Sequence, residues 1–254
     1  NRTTEKAHAF TDKFGGQVYQ SLESLLEDNS VDAVINLTSP KAHYETTRRC
    51  IGAGRHVLSE KPLALSVEQG QQLLDEASKN GVTLSCAPFI LLGANQQRVK
   101  KLLAESRIGT PVSVTAEMFH GRVEAWHPSP EQFYTEGGGP LLDVGPYPVS
   151  LMLDWFGPVA EVQGMFDIAI PERSDLNNKQ FKVTKFDQGV SLLRFASGVI
   201  GRVAFSYANS NTDHHGLEIQ GTDGSLALGS VMAANAELKI SERDSAQWDS
   251  VEGS

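Results

Sequence analysis

The chain has 254 residues, 40% of them hydrophobic and 21% charged, which are the proportions of a globular protein and exclude disorder as the starting expectation. Its formal charge of −9 is spread along the sequence with no cluster of Lys and Arg to track phosphates, so no nucleic-acid partner is expected. No apolar run approaches the roughly 20 residues that cross a bilayer, and residues 1–10 hold no signal-peptide core, so no membrane association is expected either.

In chain order, Ala7, Phe10 and Phe14 lie on one helical face that Gly15-Gly16 ends, and Val18-Tyr19 reads as a short strand. Ser21 caps a helix with Leu22, Leu25 and Leu26 on its apolar face, before a buried-type strand from Ala33 to Leu37. Ser39 and Pro40 take the N-cap and N1 positions of a helix closed by Gly54. A strand over Arg55 to Leu58 follows, then a helix opened by the capping box Ser66/Gln69 and stopped by Asn80-Gly81, then a strand over Val82 to Cys86. Alternating short apolar runs and helices are the grammar of a parallel α/β sheet.

A helix over about 95–106 precedes a change of character at Gly109-Thr110-Pro111. Val112, Val114, Ala116 and Met118 alternate with polar residues, as do Val199 to Tyr207 and Leu217 to Gln220, and Gly221-Thr222-Asp223-Gly224 turns into Ser225 to Leu228. The second half is expected to be a mostly antiparallel sheet, interrupted by a helix from Pro146 to Phe156. Glu172 to Lys179 is polar enough to be a mobile loop. Cys50 and Cys86 lack the paired spacing of a disulfide framework or zinc site and read as packing residues of a reducing, cytoplasmic compartment. The chain opens without Met, which leaves room for a leader ahead of it.

Three segments carry candidate chemistry. Ser59-Glu60-Lys61-Pro62 follows a strand, and the carboxyl edge of an open α/β sheet is where ligands bind, although a Glu-Lys-Pro string taken alone is more often solvated surface. Thr38-Ser39-Pro40-Lys41-Ala42-His43 opens a helix, and Gly137-Gly138-Gly139-Pro140-Leu141-Leu142-Asp143-Val144-Gly145-Pro146-Tyr147 runs into another. His120, His127, His214 and His215 show no i, i+4 pairing around an acid, so no metal is expected, and His214-His215 read as polar surface.

Taken together and in this order, the three segments resemble those of the Gfo/Idh/MocA oxidoreductases, and with the flanking turns the resemblance runs from about Asn1 to Leu228. It implies an incomplete Rossmann parallel sheet over 1–88, a partial NAD(P)-binding domain, followed over 89–254 by an α+β substrate-binding and oligomerisation domain with a mostly antiparallel open sheet. The family's first strand and Gly-x-Gly-x-x-Gly turn have no counterpart here, and the carboxyl end lacks the usual helical tail, so the chain is expected to be a fragment of a longer protein. Tyr147 stands where the commonest family pattern has His, as in a subgroup with Asp-x-Gly-Pro-Tyr and an upstream Trp-His-Pro, here Trp126-His127-Pro128.

The implied activity is hydride transfer between nicotinamide and a hydroxyl or carbonyl carbon of a sugar, cyclitol or related polyol. Lys61, Asp143 and Tyr147 are the catalytic candidates. The travelling proton belongs either to Lys61, whose pKa burial would lower, or to Tyr147, helped toward phenolate by a nearby ammonium. Asp143 orients a hydroxyl or Lys61, or else only complements the following helix dipole. Leu37, Thr38, Ser39, Pro40 and His43 are expected on the cofactor, with Glu60 and Lys61 after the next strand and Pro88 bordering the nicotinamide. Trp126 stacks on a sugar face or fills a loop, and His127 lines the substrate pocket, while His120 reads as structural. Arg2, a phosphate donor or a frayed terminal residue, tips the cofactor choice toward NADP over NAD. The open sheet is expected to form a homo-oligomer. Two other readings stay open, a nicotinamide-binding regulatory or scaffold protein without catalysis and a transient-oxidation enzyme with no net redox change.

Overall fold

The computed structural model describes residues 3–212, 216–245 and 247–251. Arg2, His214 and His215 lie outside the described residues. The chain divides into two compact units, Asn1–Cys86 and Ala87–Ser254.

The first unit holds a parallel sheet of β1 (Ala33–Asn36), β2 (His56–Ser59) and β3 (Leu84–Cys86) in that order. Four helices accompany it: α1 (Thr4–Phe14), α2 (Leu22–Leu26), α3 (Pro40–Gly52) and α4 (Val67–Asn80). Burial of Cys50, Ile51, Val57, Leu73 and Ala77 between α3, α4 and the sheet makes its core. Strand β2 begins one residue later than the sequence suggests, because the Arg55 amide donates to Cys50 O (3.0 Å) at the end of α3 and not into the ladder. The capping box of α4 forms with a displaced return bond. Ser66 Oγ accepts from Gln69 N, but Gln69 Oε1 accepts from Leu65 N, one residue upstream of the cap.

Two expectations for this unit fail. Val18-Tyr19 is not a strand; Tyr19 instead donates its phenol to Asp28 (2.6 Å), so the segment is tied by side chains and not by a ladder. Nor is β1 of the buried type, since Ala33 and Ile35 are exposed and Asn36 is its buried residue; α1 forms and ends at Gly15 as expected, with Phe10 and Phe14 packed on each other at a ring-centroid distance of 4.7 Å.

The second unit is built on an eight-stranded sheet, whose strands are β4 (Pro111–Phe119), β5 (Val159–Asp167), β8 (Gln188–Phe195), β9 (Ile200–Ser206), β10 (Gly216–Gly221), β11 (Gly224–Leu228), β12 (Leu238–Glu242) and β13 (Asp249–Ser250). Their order is β13-β12-β11-β10-β4-β9-β8-β5, and only the central β4–β9 pair is parallel. Val114, Ala116 and Met118 of β4, Val203 and Phe205 of β9 and Leu217 and Ile219 of β10 face one way. They pack with Val99 and Leu102 of α5 (Ala94–Ala104) and with Leu151, Met152 and Phe156 of α7 (Pro146–Phe156). The period-2 alternation thus selects a helix-covered face and a bare one.

Glu172 to Lys179 is not a mobile loop. Its first residues form β6 (Glu172–Ser174), and 175–179 turn into the paired β7 (Gln180–Lys182), with Arg173 opposite Phe181 and both buried. The polar composition hid this because the buried guanidinium is neutralised by partners distant in sequence, described below. Among the described residues no helix is long and apolar enough to cross a membrane, and no group of three His, Cys, Asp or Glu could hold a metal ion.

Candidate functional site

In the first unit the ends of β1 and β2 are knotted together by buried polar groups. Asn36, at the end of β1, donates to His43 O (3.2 Å) and Thr47 Oγ1 (3.0 Å) and accepts from the amide and hydroxyl of Thr38. Its carbonyl accepts from Glu60 N at 2.9 Å, which binds the Glu-Lys-Pro segment to the adjacent strand. Glu60 turns its carboxylate back to accept from the Lys61 amide (3.1 Å), and its carbonyl accepts from Ser59 Oγ and Cys86 Sγ.

His43 is 1% exposed, with Nδ1 2.7 Å from Pro62 O and Nε2 2.8 Å from Thr38 O. Both partners are carbonyls, which only accept, so the imidazole joins the two strand-end segments instead of facing a ligand. Leu37 and Thr38 are exposed, and Ser39 and Pro40 are half-buried at the start of α3. The Ser39 hydroxyl makes no cap to α3, so the helix opens without a side-chain acceptor on its first amides. A cleft of about 680 Å³ runs beside β1 and is lined by Gln17, Tyr19, Ile35, Leu37 and Thr38 among others.

In the second unit the glycine-rich segment sets the geometry. Gly139 has φ 89° at the start of α6 (Pro140–Asp143), in the left-handed region that glycine favours. A Cβ on Gly145 would press into Leu141 O, so the chain can pass from α6 into α7 only with glycine there. This turn sets Asp143 at the end of α6 and Tyr147 in the first turn of α7. The fully buried Tyr207, just past β9, donates its phenol to Asp143 Oδ2. Burial, and then the Asp143 charge with Tyr134 and Tyr147 beside it, drives the Tyr207 pKa far above that of an ordinary phenol, so Tyr207 is a fixed donor.

Trp126 is 54% exposed, and the rings of Trp126, His120 and Tyr207 follow one another with centroids 6.0 and 6.2 Å apart. His127 packs edge-on against Phe133 at 4.7 Å, and its Nδ1 accepts from Ser129 N (3.0 Å), which leaves the ring proton on Nε2. The structure therefore gathers Asp143, Tyr147, Trp126 and His127 in the second unit, whereas Thr38, His43, Glu60 and Lys61 belong to the first. Pro88 follows a cis Ala87-Pro88 bond at the start of the second unit. Sequence reasoning missed Tyr207, although it closes a strand whose alternation was legible.

A parallel α/β unit with ligand-type residues at its strand ends, followed by a helix-backed sheet carrying a carboxylate and phenols, is the architecture of a dinucleotide-dependent dehydrogenase. Residues 1–87 match the oxidoreductase family with an NAD-binding Rossmann fold, and residues 96–227 match the GFO/IDH/MocA C-terminal domain. The chain belongs to the Gfo/Idh/MocA family of oxidoreductases. It is 30% identical over 237 residues to 1,5-anhydro-D-fructose reductase of Ensifer adhaerens, covering 91% of this chain and 67% of that one. Among solved structures it is similar to an NAD-binding oxidoreductase from Klebsiella pneumoniae (TM-score 0.83, 25% identity, 99% of this chain and 69% of that one). It is also similar to a 3-ketoreductase from Actinomadura kijaniata in complex with TDP-benzene and NADP (TM-score 0.75, 28% identity, 99% and 73%). The chain spans about two thirds of the length of these relatives.

Proposed function

We propose that the protein carrying this chain is an NAD(P)-dependent dehydrogenase or reductase that interconverts a hydroxyl and a carbonyl on a sugar, cyclitol or related polyol. The observation that carries the reading is the Asp143 carboxylate, fixed by the buried Tyr207 phenol beside Tyr147 and linked through His120 to the exposed face of Trp126. An ionised carboxylate is an acceptor, and on this reading Asp143 accepts from a substrate hydroxyl and orients it. Trp126 offers the flat apolar surface on which a sugar ring stacks, and His127 offers an Nε2–H donor.

Bound nicotinamide supplies the hydride chemistry, and the chain supplies position and proton handling. On this reading the uncapped start of α3 and the exposed Thr38 receive the cofactor's anionic and ribose groups, beside Leu37, Ser39 and Pro40. His43 acts at one remove, by holding Thr38 and Pro62 in place. Glu60 shapes the turn at Lys61, and Pro88 borders the nicotinamide. Lys61 and Tyr147 are the candidates for the proton carrier at the reacting oxygen. NADP is preferred over NAD, because Arg2 offers a guanidinium to a 2′-phosphate, and use of NAD better by about tenfold would overturn that preference.

The test is a cofactor titration followed by a panel of sugars, cyclitols and sugar acids, read by nicotinamide absorbance in the natural protein. Lys61→Ala should abolish turnover and leave cofactor affinity within about twofold. Full residual activity in that variant would refute the mechanism, and binding without turnover across the panel would favour a regulatory role.

A further inference from the structure

A buried polar cluster of the second unit lies where composition suggested a loose loop. Arg173, on β6, has a side chain 1% exposed. One of its nitrogens donates to Asp187 Oδ2 (2.5 Å), a residue with no exposed side-chain surface whose carboxylate also accepts from the amides of Ala169 (2.7 Å) and Ile170 (3.2 Å). The other reaches Glu124 Oε1 (2.7 Å), Tyr134 Oη (3.3 Å) and the main-chain carbonyl of Tyr207 (3.2 Å). The guanidinium also lies 4.4 Å from the centroid of the Tyr134 ring. Tyr134 in turn donates to Glu124 Oε2 (2.5 Å) and accepts from Val123 N (3.1 Å).

These contacts converge on two places that matter for substrate. Glu124 lies in the 3-10 turn Val123–Ala125, which leads directly into Trp126 and His127. Tyr207 is the residue whose phenol holds Asp143. One guanidinium therefore grips both the loop that presents the indole and the strand end whose phenol holds the Asp143 carboxylate. The fork geometry of arginine suits this, since its donors diverge in a fixed plane toward several acceptors at once.

We propose that Arg173 is a positioning residue for sugar recognition, holding the Glu124 turn and the Tyr207 carbonyl so that Trp126 and His127 keep a fixed relation to Asp143. It rests on the function proposed above for the identity of the loop as a substrate-binding one. The hairpin β6–β7 is thus a buttress that tunes substrate fit without touching substrate.

Three substitutions test this, Arg173→Met, Glu124→Ala and Glu124→Gln. Glu124→Ala leaves the Arg173–Asp187 pair whole and removes the Glu124 bonds to Arg173 and Tyr134, while Val123 N keeps its bond to Tyr134 Oη, so it reports on positioning even where Arg173→Met does not fold. Amide hydrogen exchange at Val123, Ala125, Trp126 and His127 should quicken at least about tenfold in Glu124→Ala, while the ladder from Leu217 to Leu228 keeps its protection. In the natural protein the same variant should raise KM for the sugar about tenfold with cofactor affinity unchanged, and Glu124→Gln, which keeps an acceptor, should recover part of both effects. Unchanged loop exchange in Glu124→Ala, or acceleration spread evenly over the whole unit, would overturn the proposal. If the wild type turns over no sugar, the proposed function fails by itself, and the exchange comparison still decides the positioning.

Discussion

Tyr207 donates its buried phenol to the carboxylate of Asp143, and this bond ties the end of the eight-stranded sheet to the helix turn that follows the glycine-rich segment. Tyr207→Phe removes the donor and keeps the ring. A hydrogen bond to a charged acceptor is worth about 1.5–3 kcal/mol, so the variant should fold with a loss of that order. Its kcat should fall about tenfold, because Asp143 then orients less strictly. Urea unfolding and steady-state rates check the two halves, and wild-type values for both would sink the assignment.

The same phenol sets an alkaline limit. Its folded pKa is raised, by burial first and then by Asp143, above the roughly 10 of an unfolded tyrosine. Stability from this group is therefore fully present below about pH 10 and declines as pH rises beyond it, because the unfolded chain releases the proton first. Tyr134, raised by burial and by its bond to Glu124, adds to the same slope. Tyr207→Phe should lose less stability than wild type between about pH 9 and pH 11, and parallel urea midpoints across that range would contradict this.

His43 stands between two backbone carbonyls, at 2.7 and 2.8 Å. His43→Ala leaves the carbonyl that accepts the single ring N–H, Thr38 O or Pro62 O, without its partner, at a cost of about 1–3 kcal/mol where water does not reach it. The loss should show as faster amide exchange at Glu60, whose N–H bridges the strand ends, with the second unit unaffected. Equal exchange at Glu60 in both proteins would remove the bridging role.

Cys86 and Cys50 should both be slow thiols. Burial raises the Cys86 pKa to about 11, with the Glu60 charge adding to it, and burial raises Cys50 as well. Only the thiolate attacks, so at pH 8 a disulfide reagent should modify the native protein orders of magnitude more slowly than the urea-unfolded chain. Prompt modification of half-buried Cys86 in the native protein would contradict its raised pKa.

The bare sheet face should be covered by a second copy. Met165 of β5, Leu192 of β8 and Ile200 of β9 fall on the face away from the helices, and they are 79, 49 and 40% exposed. Sedimentation of the wild type should report a dimer or larger, and Met165→Glu with Leu192→Glu should shift it toward monomer, since two buried carboxylates would face an apolar partner. A monomeric wild type at micromolar concentration would refute the face-to-face assembly.

Local signals were enough for much of this molecule. The pairing of Ser39 with Pro40, the Gly-Gly and Asn-Gly helix stops, and the alternation from Val112 to Met118 each act within a few residues, so element type and fold class follow from the amino-acid order. The order of Glu60-Lys61-Pro62 and Gly137 to Tyr147 likewise marks the family. Partnership across the chain is another matter. Strand β5 lacked a legible alternation because at the sheet edge it has no buried residue, and β8 because it buries Ser191 and exposes Leu192, and the register of a neighbour is not a local property. That a polar stretch hides Arg173, that Tyr207 serves Asp143 and that His43 joins two loops was decided by tertiary structure, since a buried charge or donor is stable only where distant residues supply its partners.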